Sequence, residues 1–295
     1  MTTLSLALPK KFSFQRTVNS HGWYDLPPFK SNEAYDELSA VVMLDRRRSA
    51  AIRITGNRHA LAVSIVNSIS LGPREKKQIR ESVRSMLRLD ESLEEFYMLC
   101  RTEEHLRWVP KLHAGRLLRS PTVFEDVVKM MCTTNCSWSL TKIMVKNLTV
   151  KLGTKIGKEY FSFPTPEAIA AKSERWLRKE ISCGYRAPYL LELCRRISSN
   201  DLELESLRTS DAPTEELYEK LRSIKGIGHY AAGNLLKLLG RYDYLGIDSW
   251  VRTRFSAMHT KGRKVSDRAI ERHYHRYGRW RGLVCWMEST SDWHQ

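Results

Sequence analysis

Residues 221–248 read LRSIKGIGHYAAGNLLKLLGRYDYLGID. At their centre, Ile224-Lys225-Gly226-Ile227-Gly228 separates two stretches of helical apolar spacing. Upstream, PTEELYEKLRSI puts Leu217, Leu221 and Ile224 at i, i+4 and i+7, one face of a helix. Downstream, Leu235, Leu236, Leu238 and Leu239 carry a second apolar helix. Two helices joined by Gly-x-Gly form a helix-hairpin-helix. Each glycine is expected to remove a Cβ where the turn needs an unusual φ or a close backbone approach. The second helix then begins with N–H groups that have no intrahelical acceptor and with the positive end of its dipole, a seat for a phosphate. Eighteen positions past Tyr230 stands Asp248, within Leu245-Gly246-Ile247-Asp248-Ser249-Trp250-Val251-Arg252. Its carboxylate suits the N-cap of a helix SWVRTRF and also a chemical role, and the two are compatible.

The hairpin, the glycine turn and the aspartate at this spacing resemble the helix-hairpin-helix DNA glycosylases, which include 8-oxoguanine glycosylase, 3-methyladenine glycosylase II and endonuclease III. The resemblance is strongest over residues 115–255. It implies a mainly α protein with an N-terminal antiparallel α+β domain. It also implies that Asp248 is the catalytic carboxylate and that Lys225, Gly226, Gly228 and His229 grip the DNA backbone. Backbone carbonyls of Arg222, Ile224 and Ile227 match those that hold a monovalent cation, Na+ or K+, in the family.

Two further stretches carry the resemblance. In HAGRLLRSPTVFEDVVKMMCTTNCSW, a Leu-Leu-Arg-x-x-Pro run leads to Thr133-Thr134-Asn135, and Asn135 falls where the 8-oxoguanine branch contacts the unpaired base. Leu140 stands where that branch has an arginine, and a Ser-Gly-Gln-Phe-type segment is missing from the N-terminal region. The first difference speaks against selectivity for a particular opposite base, the second against 8-oxoguanine specificity. Thr133, Thr134 and Asn135 also suit a plain helix end. In FPTPEAIAAKSERWLRKEISCGYRAPYLLELCRRI, Gly184-Tyr185-Arg186-Ala187 matches the family step that sets a tyrosine at the lesion gap and an arginine towards the orphaned base. A flat ring can plug the hole a flipped nucleotide leaves, and a guanidinium can bond base edges or phosphate.

Lyase-active members carry a nucleophilic lysine two residues past the second glycine. Here that position is Tyr230, which cannot form a Schiff base, and neither Lys225 nor Lys237 matches it. Tyr230 and Trp250 are expected to flank the base pocket, where aromatic faces favour electron-poor or cationic bases. The reading is a monofunctional glycosylase that flips a damaged or modified base and hydrolyses its N-glycosidic bond, with an alkylated purine favoured. One alternative substrate is an oxidised base or a naturally modified one, such as a hypermodified phage cytosine in phage defence. A non-catalytic DNA-binding module is the alternative from another class.

Composition agrees. The 295 residues include 49 Lys plus Arg against 33 Asp plus Glu, a net charge of +16 that favours a polyanionic partner, double-stranded DNA. No run of ~18 apolar residues suggests a membrane span. In MTTLSLALPKKFSF the basic residues follow the apolar patch, the wrong order for a secretory signal. An intracellular monomer is expected, in cytoplasm and nucleoid or in a nucleus. Of six cysteines only Cys285 follows Asp248, so no iron–sulfur cluster is expected, and buried reduced thiols are the default.

Residues 1–90 are expected to form the antiparallel β domain with helices. Ala51–Thr55 and Leu61–Ile65 alternate as strands around Gly56-Asn57-Arg58, and PREKKQIRESVRSMLRL has Ile79, Val83, Met86 and Leu87 on its inner face. His21-Gly22-Trp23-Tyr24-Asp25-Leu26-Pro27-Pro28 suggests a stiff, partly exposed loop or a turn with its rings folded inward. Residues 91–125 with 241–295 are expected as one helical domain and 126–240 as another that ends in the hairpin.

Overall fold

Alternation of large apolar with polar or small residues builds the N-terminal sheet. The computed structural model describes residues 2–45, 48–57 and 59–294. Strands β1 (Thr3–Ala7), β2 (Lys30–Ser31), β3 (Glu37–Met43), β4 (Ser49–Gly56) and β5 (Ala60–Ile65) pair in the order β1-β5-β4-β3-β2, every pair antiparallel. Leu4, Leu6, Ile52, Ile54, Leu61, Val63 and Ile65 are buried. Arg58 of the expected β4–β5 turn lies outside the described residues. Helix α1 (Pro73–Met86) buries Ile79, Val83 and Met86, the face its sequence predicts.

The chain folds as two units, each built from two separate segments. Met1–Glu91 with Arg116–Glu205 forms the first, and Ser92–Gly115 with Ser206–Gln295 forms the second. The hairpin therefore groups with the C-terminal helices instead of closing a 126–240 domain as expected, because its second helix packs on the last long one.

In the first unit the sheet and α1 are joined by helices that include α2 (Val123–Thr133), α3 (Trp138–Leu152), α4 (Pro166–Ala170) and α5 (Ala187–Ser198). Helix α2 begins at Val123. Thr122 is its N-cap and accepts from Glu125 N, while the Glu205 carboxylate takes the Val123 and Phe124 N–H groups at 2.9 and 3.0 Å. The segment at 21–28 is packed rather than exposed at its tryptophan. Trp23 is buried in a 3-10 turn, and its indole N–H donates to Asp126 Oδ1 at 2.8 Å. The inward reading of that segment holds for Trp23.

The second unit contains the hairpin helices α6 (Thr214–Arg222) and α7 (His229–Leu239), then α8 (Ser249–His259), α9 (Asp267–Tyr274) and α10 (Arg281–Ser289). The start of α10 abuts the 242–244 segment, where Gly282 N donates to Tyr242 O at 2.7 Å. Five of the six cysteines are buried, and burial pushes the thiols of Cys100, Cys132 and Cys285 up to about 12. Thiols held protonated are poor nucleophiles. Among the described residues, no helix is long and apolar enough to cross a membrane.

Candidate functional site

The hairpin turn has one glycine of necessity and one of choice. Gly226 adopts φ +90°, a left-handed conformation that costs other residues strain. Gly228 sits at φ −86°, ψ −178° as the N-cap of α7, an extended conformation open to any residue. A Cβ added there meets nothing within 4 Å. Of the two uses expected of these glycines, an unusual φ holds for Gly226 and not for Gly228. Lys225, Gly226, Gly228 and His229 are all exposed. Gly228, the N-cap of α7, supplies no side-chain cap, and the first-turn N–H groups of a helix have no intrahelical acceptor. The His229 ring is fixed sideways by a hydrogen bond between Nδ1 and the Tyr218 hydroxyl. Tyr218 in turn stacks on Tyr244 at 4.2 Å.

Asp248 is the N-cap of α8, and its Oδ1 accepts from Val251 N at 2.7 Å. Three contacts seat the segment before it on α7. Gly233 and Gly246 meet backbone to backbone: a Cβ on Gly233 would lie 2.8 Å from Gly246 N. Asn234 Nδ2 donates to Tyr230 O at 2.9 Å and approaches Gly246 O at 3.5 Å. Buried Lys237 donates from Nζ to Leu245 O, and burial draws its pKa down to about 8. Gly233, Asn234 and Lys237 were not singled out from the sequence as site residues. The available signals were a helix-interior glycine beside an asparagine and a lysine on an otherwise leucine face.

Trp250, on the first turn of α8, belongs to a trio. Its ring lies 5.7 Å from Trp286 and 5.4 Å from Trp293, which are 5.8 Å apart. Trp293 is 41% exposed, so the trio presents a face to solvent. Lys237 Nζ is 5.9 Å from the centre of the Trp286 ring, linking this cluster to the Asp248 seat. Trp286 and Trp293 are grouped with Trp250 by the fold and not by the sequence. Tyr230 is half-buried on the first turn of α7.

In the first unit, Asn135 and Tyr185 are both exposed and meet, with Asn135 Nδ2 3.4 Å from the Tyr185 hydroxyl. Asn135 takes φ +47° just past α2, whose end is back-bonded by Thr133 to Met130 O and by Thr134 to Met131 O. Arg186 departs from the expected DNA contact. It is 4% exposed and donates from Nε to Met131 O at 3.1 Å and from Nη2 to Thr134 O. Its guanidinium also lies 4.6 Å from the centre of the Tyr185 ring. The carbonyls at this helix end draw the cation inward, where it fixes the turn that carries Asn135 and supports Tyr185.

No family model matches the chain. Over 218 residues it is 23% identical to a probable N-glycosylase/DNA lyase of Methanothermobacter thermautotrophicus, a match covering 66% of this chain and 68% of that protein. An N-glycosylase/DNA lyase of Saccharomyces cerevisiae is 28% identical over 141 residues, 41% of this chain and 37% of the yeast protein. A 3-methyladenine DNA-glycosylase from Archaeoglobus fulgidus superposes with a TM-score of 0.77 at 23% identity, over 98% of both chains. The chain has the fold of the helix-hairpin-helix DNA glycosylases. The same glycosylase fold is seen in a Clostridium acetobutylicum 8-oxoguanine glycosylase/lyase bound to double-stranded DNA, with a TM-score of 0.74 at 16% identity over 96% of this chain and 92% of that one. Within this glycosylase fold, the Gly226 turn joins α6 to α7 and Asp248 starts α8, the local structure that the sequence implies for both.

Proposed function

We propose that this protein is a monofunctional DNA glycosylase, active as an intracellular monomer on double-stranded DNA, that removes an alkylated purine and leaves an abasic site. The observation that carries the reading is the seat of Asp248. A carboxylate stands at a helix start, clamped to the hairpin helix through Gly233–Gly246, Asn234 and Lys237.

A base stacked in a duplex is out of reach, so the nucleotide is extruded. The α7 N–H groups with Lys225 grip a phosphate, and the open space at Gly228 lets the backbone approach. Tyr185, stiffened by Arg186 beneath it, fills the gap in the stack. Departure of the base gives the sugar oxocarbenium character, and the Asp248 carboxylate stabilises that charge and orients water. The Trp250–Trp286–Trp293 cluster offers flat electron-rich faces to a cationic alkylated purine.

One relative in fold, the Clostridium acetobutylicum enzyme solved with and without DNA, is named for 8-oxoguanine, which favours an oxidised purine as the second reading. Hydrolysis without strand cleavage rests on Tyr230 in place of the lyase lysine. Lys237 is buried and its Nζ is engaged by Leu245 O. Three neutral main-chain oxygens, of Arg222, Ile224 and Ile227, suit Na+ or K+ and would stiffen the turn around Gly226; no chemical step depends on it.

The test is release of free bases from duplexes carrying alkylated, oxidised and naturally modified bases, read by mass spectrometry. Release of 3-methyladenine or 7-methylguanine above the oxidised bases supports the reading. Release of 8-oxoguanine alone replaces the substrate, and binding without any release replaces the enzyme.

A further inference from the structure

Three helices of the second unit bring ligand-type side chains to one point, away from the residues used above. His259 is the last residue of α8, His273 lies near the end of α9, and Glu288 lies near the end of α10. One atom from each, an imidazole nitrogen from both histidines and a carboxylate oxygen from Glu288, lies within 4.8 Å of the others. His259 Nε2 is 3.2 Å from Glu288 Oε1. A fourth group arrives from the other segment of the unit, with His105 Nε2 also 3.2 Å from Glu288 Oε1. The His259 and His273 rings are 4.3 Å apart.

The surroundings fit ligands better than a mere ion pair. Glu288 is buried, and its second oxygen, Oε2, accepts from the Tyr274 hydroxyl, which leaves Oε1 to face the imidazoles. The other nitrogen of His105 faces Glu103 Oε2 at 4.0 Å, the carboxylate-behind-histidine arrangement common around bound metals. Arg276, the nearby permanent cation, is held by the Tyr277 hydroxyl at 2.6 Å. Tetrahedral bonds of about 2.0–2.1 Å place neighbouring ligand atoms roughly 3.3 Å apart. The two Glu288 contacts already have that spacing, and the partly exposed His105 and His259 would both move to close the other separations.

We propose that His105, His259, His273 and Glu288 form a zinc site that ties the far end of α8, the helix begun by Asp248, to α9 and α10. Three imidazoles and a carboxylate are a borderline donor set that suits Zn2+ over Mg2+ or Ca2+. Four protein ligands close the coordination sphere, so the ion is structural and takes no part in base removal. The assignment does not depend on the glycosylase reading.

The experiment uses the untagged full chain, stripped with chelator and titrated with Zn2+ against a chromophoric competitor, and with Co2+ as a spectroscopic probe. Expected are one Zn2+ per chain, the intense visible bands of tetrahedral Co2+ without thiolate charge-transfer absorption, and a higher Tm with Zn2+. His259→Gln and His273→Gln should weaken Zn2+ by more than the roughly 10- to 100-fold typical of outer-shell changes, and Tyr274→Phe by about 10-fold. His105→Gln, at a partly exposed position, covers the case in which the other variants do not fold. It should weaken Zn2+ and change the Co2+ spectrum. Sub-stoichiometric Zn2+, thiolate bands, or affinity unchanged in His105→Gln and in folded His259→Gln would each overturn the site.

Discussion

The Lys237 ammonium donates to the carbonyl of Leu245, three residues ahead of Asp248, and so fastens the second hairpin helix to the segment that delivers the aspartate. Burial lowers this lysine from 10.5 to about 8. A folded-state pKa below the unfolded one means that the unfolded chain binds more protons between those values, so this group adds stability as pH rises through the interval. Between pH 8 and 10 the wild type should gain about 2 kcal/mol relative to Lys237→Met, measured by urea unfolding of both. Parallel pH dependence of the two proteins would show that Lys237 does not titrate in that range.

The two hairpin glycines should separate stability from binding. Gly226→Ala forces a side chain to φ +90° and should cost about 1 kcal/mol of stability or more. Gly228→Ala meets open space in an extended conformation and should leave stability within about 0.5 kcal/mol. A bulky residue, Gly228→Phe, should nonetheless weaken binding to every duplex, because it obstructs the phosphate seat. Thermal unfolding and fluorescence anisotropy test the pair, and unchanged affinity in Gly228→Phe would remove the hairpin as the grip.

Much of this was legible because the relevant signals are local. Helical spacing around Gly-Ile-Gly gives both hairpin helices, Asp248 before SWVRTRF reads as the N-cap it is, and period-two alternation gives β4 and β5. What was hidden depends on which way a side chain turns. Arg186 looks solvent-facing in Gly-Tyr-Arg, yet the carbonyls at the end of α2, distant in sequence, draw it inward. Gly228 looks strained only because Gly226 is. Lys237 looks like a surface lysine until Leu245 O is placed beside it. Trp286 and Trp293, and the cluster of His105, His259, His273 and Glu288, assemble from segments far apart in the chain, which no periodicity reports.

Arg186 and Tyr185 should respond differently to truncation. Arg186→Ala leaves the Met131 and Thr134 carbonyls without their donor and should destabilise the fold by about 1–3 kcal/mol. Tyr185→Ala, at an exposed ring, should change stability little and slow base release on paired substrates more than on mispaired ones, which cost less to flip. Equal slowing on both substrates would count against a wedge.

Tyr230 at the lyase position predicts product chemistry. DNA should keep intact strands with abasic sites that break only after alkali, and borohydride should trap no adduct with the wild-type protein. A trapped adduct mapped to Lys225 or Lys237 would reverse that conclusion.

Asp248→Asn tests the central claim most directly. The change removes the charge while the amide oxygen can still cap Val251 N, so fold and duplex affinity should be retained within a few-fold. Single-turnover release of the excised base from the best substrate in the panel should fall by at least about 100-fold. Release at the wild-type rate by the folded variant would contradict the assignment of Asp248 and, with it, the proposed mechanism.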